Sequence, residues 1–234
     1  MNIKFLKLSV FLLSIFAVQQ TTNAQIKVGL RAGVNFSNLN YKDETDKKAT
    51  TQSVPGIQIG LTADIPLVEN FYVQPGLMYA DRGFKEETGS SLGYGVNFEV
   101  KANYFEIPVT FLYKPKLGSG KLIAGAGPYI GFGTGGNWTS DSQVVVQGDI
   151  MIGNKGDLIF RNDGSEGGNL ESYNYGRPVD YGAGFLLGYE HKSRVYLQGN
   201  TQVGVANLQS QFGDFKPKGS KRNSSFGISV GYKF

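Results

Sequence analysis

The sequence predicts an all-β protein, an eight-stranded antiparallel up-and-down transmembrane β-barrel, on three observations. The last nine residues place Phe226, Ile228, Val230, Tyr232 and Phe234 on one parity and Gly227, Ser229, Gly231 and Lys233 on the other. Alternate side chains of a strand point to opposite faces, so this ribbon is apolar on one side and small or polar on the other. Seven further segments repeat the pattern, and the connections between them alternate between long and short. An exposed apolar edge of this kind makes a soluble sheet aggregate. A lipid-facing strand with a polar lumen face and aromatic residues at the interface needs it. The rival reading of the final strand is the edge of a secreted β-sandwich.

The first strand covers residues 26–37, with Ile26, Leu30 and Val34 opposed to Lys27, Arg31 and Asn35. The second, 56–65, sets Ile57, Ile59 and Leu61 against Gln58, Gly60 and Thr62. The third runs over 71–84. Pro75 sits on its apolar parity and lacks a ladder donor, which predicts a local bulge. The fourth, 98–113, carries Phe105, Ile107, Val109 and Phe111 on one face, but Phe98, Val100 and Ala102 lie on the other. A one-residue slip exchanges faces, so the strand has a bulge near Asn103–Tyr104 or protrudes beyond the membrane. The fifth (122–133), sixth (179–190), seventh (195–205) and eighth (226–234) alternate cleanly.

Each strand has about the 9–11 residues that a tilted strand needs to cross a bilayer. The breaks 39–53, 85–95, 134–176 and 207–222 are long, and those between them are about four to six residues. Short periplasmic turns and longer external loops are the pattern of outer-membrane barrels. With an even strand count, both termini are expected in the periplasm. Two independent periodicities give one topology.

The N-terminus has Lys4 and Lys7, an apolar run over 8–18 and a polar stretch ending in Ala24. That run is too short for a spanning helix, which needs roughly 20 residues. The pattern is that of a secretory signal peptide, residues 1–24, cleaved between Ala24 and Gln25. The barrel domain is then 25–234, with a long external loop over 134–176. Cleavage removes Lys4 and Lys7 and leaves 21 basic against 19 acidic residues, which gives no basic face for nucleic acid. With no cysteine there is no lipidation site, disulfide or thiolate metal site. The 33 glycines, 13 tyrosines and 16 phenylalanines suit a glycine-lined, aromatic-girdled barrel.

Gly29-Leu30-Arg31-Ala32-Gly33-Val34-Asn35-Phe36-Ser37, Gln74-Pro75-Gly76-Leu77-Met78-Tyr79, Phe105-Glu106-Ile107-Pro108-Val109 and Ala126-Gly127-Pro128-Tyr129 resemble the PorT-like outer-membrane β-barrel family, small barrels of the OmpA and OmpX kind. The likeness runs from the first strand to the last. It implies the barrel fold and an outer-membrane location. Its motifs belong to the scaffold and imply no activity, although the family's namesake takes part in protein secretion. The Tyr-x-Phe ending, Tyr232 and Phe234, resembles the signal read by the barrel-insertion machinery.

Arg31, Asp64, Arg82, Glu106 and Asp180 all fall on the lumen parity, with Glu190 and several amides. An eight-stranded barrel has just enough interior for its side chains. Buried charges must pair, so these residues form a polar network that fills the lumen, with Arg31–Glu106 the preferred pair. A narrow pore or a proton relay is the sharper alternative. Barrel enzymes form the rival class, and they usually rely on histidine beside a serine or carboxylates. The one histidine, His191, lies in a short turn with Ser193, where nothing excludes water. No cofactor or metal site is expected. The loop 134–176 reads as a hairpin turning at Gly153-Asn154-Lys155-Gly156-Asp157, with Trp138 at its base in the aromatic girdle. The expected role is non-enzymatic: structural, adhesive or assembly-partner, exercised by a monomer through its external loops. Its partners are outer-membrane lipid, the insertion machinery and a protein at those loops.

Overall fold

The computed structural model describes residues 25–86, 97–144, 153–165 and 172–234. The signal peptide, with Ala24, lies outside the described residues. Twelve strands follow in order: β1 (Lys27–Lys42), β2 (Thr51–Gln52), β3 (Val54–Val68), β4 (Phe71–Glu86), β5 (Phe98–Tyr113), β6 (Lys116–Leu117), β7 (Gly120–Val144), β8 (Gly153–Phe160), β9 (Tyr173–Gly176), β10 (Val179–Glu190), β11 (Val195–Gly204) and β12 (Ser220–Lys233). Eight of them pair antiparallel in succession, β1-β3-β4-β5-β7-β10-β11-β12, and the β12–β1 pairing closes the ring. These are the eight segments that alternate in the sequence.

The alternation works as a sorting rule. On β12, Phe226, Ile228, Val230 and Tyr232 are exposed outward, while Ser225, Ser229 and Lys233 are buried. The same division holds around the ring and gives an outward apolar belt over a polar interior. The belt reaches Phe36 on β1 and Phe226 on β12, which are register partners.

Length then decides what lies above the belt. β1, β4 and β5 have 16 residues each and β7 has 25, whereas β10 and β11 have 12 and 10. A strand rises about 3.3 Å per residue, so the long strands continue well past the level at which β10 and β11 stop. The vacancy over those two is filled by β8, which pairs with β7, by β9, which runs parallel to β8, and by residues 206–208. Arg177 N donates to Leu208 O and Leu208 N to Lys221 O, which carries the wall from β9 round to β12. The described parts of the long loop 134–176 are therefore largely wall, and their strands complete an outer storey.

The two storeys have opposite interiors. Along β5 the inward positions are even-numbered throughout: Phe98, Val100, Ala102 and Tyr104 above, Glu106 and Thr110 below, all buried. The parity never slips; the chemistry on each face reverses near Asn103. The register irregularity at Asn103/Tyr104 falls on the partner, where Thr134 is an extra residue of β7 between Gly133 and Gly135. That bulge flips the parity of β7, so Trp138 points inside. Gly136 then passes so close to β5, at φ 149°, that a Cβ would lie 2.0 Å from Lys101 O.

Three expectations are corrected. β4 keeps one register through Pro75, paired with Val109, and the irregularity between β3 and β4 is at Pro66/Val68 beside the tight turn. β8 pairs antiparallel with β7, but 153–157 lies within β8 and is not the turn of a hairpin; residues 145–152 lie outside the described residues. Trp138 is fully buried against Phe98, with ring centroids 5.4 Å apart, and is no part of a girdle.

The filled interior as candidate functional site

All five predicted lumen residues are buried: Arg31, Asp64, Arg82, Glu106 and Asp180. Four of them fall into three separate groups rather than one network, and Arg31 stands apart from all three. At the end of the ring near the short turns, Asp64 accepts from Lys114 Nζ at 2.8 Å, Lys233 Nζ at 2.7 Å and Gln74 Nε2 at 2.6 Å. Lys114 also binds Glu190, and Lys233 donates to the Thr62 hydroxyl at 3.0 Å. Two carboxylates thus balance two ammonium groups, with Leu112, Ile123 and Tyr196 packed beside them.

Farther up, Arg82 binds Glu106 through Nε at 2.9 Å and through its terminal nitrogen, and it also reaches Ser225 and Gln202. Gln202 Nε2 donates to the second Glu106 oxygen at 3.0 Å. The preferred pairing of Arg31 with Glu106 is therefore replaced. Arg82 stands on the neighbouring strand, two inward positions from Met78, which is Glu106's register partner. Arg31 is three strands away.

The third group, at the junction of the storeys, centres on Asp180. It accepts from Asn223 Nδ2 at 3.0 Å and, longer, from Tyr129 at 3.4 Å. Asn223 in turn takes the Tyr175 hydroxyl at 2.6 Å. Above it begins the apolar interior of the outer storey: Leu39, Phe84, Phe98, Val100, Trp138 and Leu158, with Tyr104, Tyr173 and Tyr175. Aromatic centroids at 5.2–5.5 Å link Phe98 to Tyr173, Tyr104 to Phe160 and Phe160 to Tyr175. Lys221 is buried at the side of this cluster, with Nζ 4.6 Å from the Tyr175 ring and 3.3 Å from the Tyr173 hydroxyl. Burial lowers its ammonium pKa to about 7.

The sequence reading missed Lys114, Lys233 and Asn223 as network members. A signal existed for Lys114 and Lys233, since both fall on the inward parity of their strands; position at a strand end hid them. Of the terminal residues, Gln25 is exposed, and Tyr232 and Phe234 stand outward with rings 5.4 Å apart. Phe234 N donates to Val28 O at 2.8 Å, so the chain end is stitched to β1. His191 Nδ1 lies 2.9 Å from Ser193 Oγ in an exposed turn. No group of three or more metal-ligating side chains occurs among the described residues.

On the outermost surface, two loops lock together. Asp163 Oδ1 accepts from Ser165 Oγ at 2.7 Å, Ser165 N at 2.9 Å and Gly213 N at 3.0 Å. The Ser165 hydroxyl and these amides hold its carboxyl down at about 2. Gly213 begins a tight turn in which Phe212 and Phe215 exchange backbone hydrogen bonds, leaving both rings about half exposed.

A closed ring with an apolar exterior and a polar interior defines a membrane barrel, and the chain belongs to the outer membrane protein beta-barrel domain family, whose model matches residues 18–210. The protein is thus an outer-membrane β-barrel. Among solved structures it is similar to OprG from Pseudomonas aeruginosa, at 11% identity over 90% of this chain and 97% of that one, with a TM-score of 0.47. It is also similar to Ail of Yersinia pestis (10% identity, 90% and 99% coverage, TM-score 0.41) and to the outer membrane protease OmpT from Escherichia coli (12%, 92% and 99%, 0.41). No curated protein matches the sequence.

Proposed function

We propose that this is an eight-stranded, monomeric and sealed up-and-down barrel. It serves as a non-enzymatic outer-membrane anchor that presents a rigid external surface to a partner. The observation that carries this reading is the filled interior. Ion pairs occupy the membrane storey, where a cavity of about 30 Å³ lies beside Arg31, Gln74 and Thr110, and aromatic rings occupy the outer storey. A protein whose interior is spent on its own packing does its work at the surface. Structural, adhesive and assembly-partner roles all use such a surface.

The proposed orientation is supported by the contrast between short turns at one end and long connections at the other. The short turns and both termini face the periplasm, and the outer storey stands above the lipid. Tyr232 and Phe234 are then the residues offered to the insertion machinery, as the resemblance of this ending to the insertion signal implies. The alternatives are a narrow pore and a lipid-modifying barrel enzyme. The enzyme needs an organised base, and the His191–Ser193 pair sits in an exposed periplasmic turn.

Planar-bilayer recording on the purified protein separates the anchor from the pore: the anchor gives no discrete conductance, and steps of uniform size overturn it. Crosslinking on intact cells tests the surface role. A partner captured by wild type and lost in Phe212→Ser/Phe215→Ser supports presentation. Capture that is indifferent to every external-storey substitution refutes it.

A further inference from the structure

Four carboxylates of the membrane storey are each engaged: Asp64 by Lys114 and Lys233, Glu190 by Lys114, Glu106 by Arg82, and Asp180 by Asn223 and Tyr129. Arg31 is the remaining cation of that interior. It is 8% exposed, forms no salt bridge among the described residues, and its Nε has no hydrogen-bond partner; Glu106 and Tyr196 act on it through space, without a direct bond. A buried guanidinium without a direct ion-pair partner is costly, and native interiors seldom leave such a donor unsatisfied.

Arg31 borders the lumen cavity of about 30 Å³, together with Gln74, Thr110, Tyr129, Asn200 and Gln202. The far wall of that cavity is built from Gly127 and Gly184, register partners on β7 and β10; a Cβ at Gly184 would meet nothing nearer than Gln202 Cγ at 3.5 Å, whereas at Gly127 the backbone of β5 comes within 2.0 Å. Two of the lining amides have their oxygens turned to other donors: Asn200 Oδ1 accepts from Gln58, and Gln202 Oε1 accepts from Arg82. The cavity thus combines a guanidinium that lacks a direct ion-pair partner with the Thr110 hydroxyl, while the Tyr129 phenol is turned to Asp180. Its volume admits one or two water-sized occupants and excludes an organic ligand.

We propose that the lumen cavity beside Arg31 is a binding site for a small monovalent inorganic anion of the halide class, which gives the Arg31 guanidinium the direct partner it lacks. The site is independent of what the external surface binds, and it is compatible with a sealed barrel because the ion is a structural occupant.

The experiment uses the full folded chain in detergent, with bromide as the probe. Melting is followed by loss of heat-modifiable migration in sodium bromide and in sodium gluconate at equal ionic strength and pH. The expected result is a halide-specific rise in Tm that saturates with concentration and disappears in Arg31→Gln. Independently, crystals of the wild-type protein grown in bromide should show an anomalous peak within hydrogen-bonding reach of Arg31 Nε. This second measurement decides the matter if Arg31→Gln does not fold. A cavity holding only water, with no anomalous peak, overturns the proposal, as does a halide effect that persists unchanged in Arg31→Gln.

Discussion

Asp64→Leu tests whether the ion pairs of the membrane storey hold the barrel together. Asp64 receives two ammonium groups at 2.7 and 2.8 Å and an amide at 2.6 Å, and it is 1% exposed. Without it, Lys114 keeps Glu190, but Lys233 keeps only the Thr62 hydroxyl and the face of the Tyr196 ring. Breaking a buried pair by removing one partner costs about 3–5 kcal/mol, because the other charge stays buried. Adding Lys233→Met restores the balance, since one carboxylate and one ammonium remain. The double variant is expected to regain most of the loss. Urea titration of the detergent-folded protein, read by heat-modifiable migration, measures both. A single-variant loss under about 1 kcal/mol, or a double variant no better than the single, refutes the reasoning.

Three further outcomes follow from the same geometry. Trp138→Ala empties a fully buried site in the outer storey and should cost about 3–5 kcal/mol there; protease cleavage of the outer loops should rise while the membrane-embedded ring stays heat-modifiable. Phe185→Arg places a basic group on the lipid face of β10, where Phe185 is 52% exposed, at a cost of about 2–4 kcal/mol, and should reduce insertion into vesicles. Lys221 lies above the belt, with a folded pKa of about 7 against an unfolded value of about 10.4. Below pH 7 it is charged in both states; between pH 7 and 10 only the unfolded state keeps the proton. Outer-storey stability therefore rises with pH across that window, by at most about 1.4 kcal/mol per unit. Lys221→Met should flatten the profile of protease resistance against pH, and a flat wild-type profile contradicts the assignment.

Much of the fold was legible because alternation and connection length are local properties. Val179 to Glu190 reads as a strand from its own residues, and so does the final run to Phe234. Inward parity likewise identified Arg31, Asp64, Arg82, Glu106 and Asp180 as interior. Their partners were not legible, because pairing inside a closed ring depends on strand stagger and on reach across the lumen. Arg82 took Glu106 from the adjacent strand, and Lys114 and Lys233 met at Asp64 from strands far apart in sequence. Phe98, Val100 and Ala102 raised two readings, a bulge or a protrusion. The structure contains the protrusion on β5 and a bulge on its neighbour β7. Trp138 was misplaced because the extra residue Thr134 inverts the count beyond it.

The central claim is that one uninterrupted strand crosses from a membrane barrel, polar inside, to an external barrel, apolar inside. Spin labels placed singly at positions 98 to 113 of the protein in lipid vesicles test it most directly, with collision rates measured for oxygen and for a water-soluble nickel chelate. The account predicts that even positions are shielded from both reagents throughout. Positions 99, 101 and 103 should favour the nickel chelate, and 105, 107, 109 and 111 should favour oxygen. Lipid exposure at 98, 100 or 102, or a one-residue shift of the periodicity at Asn103–Tyr104, would contradict it.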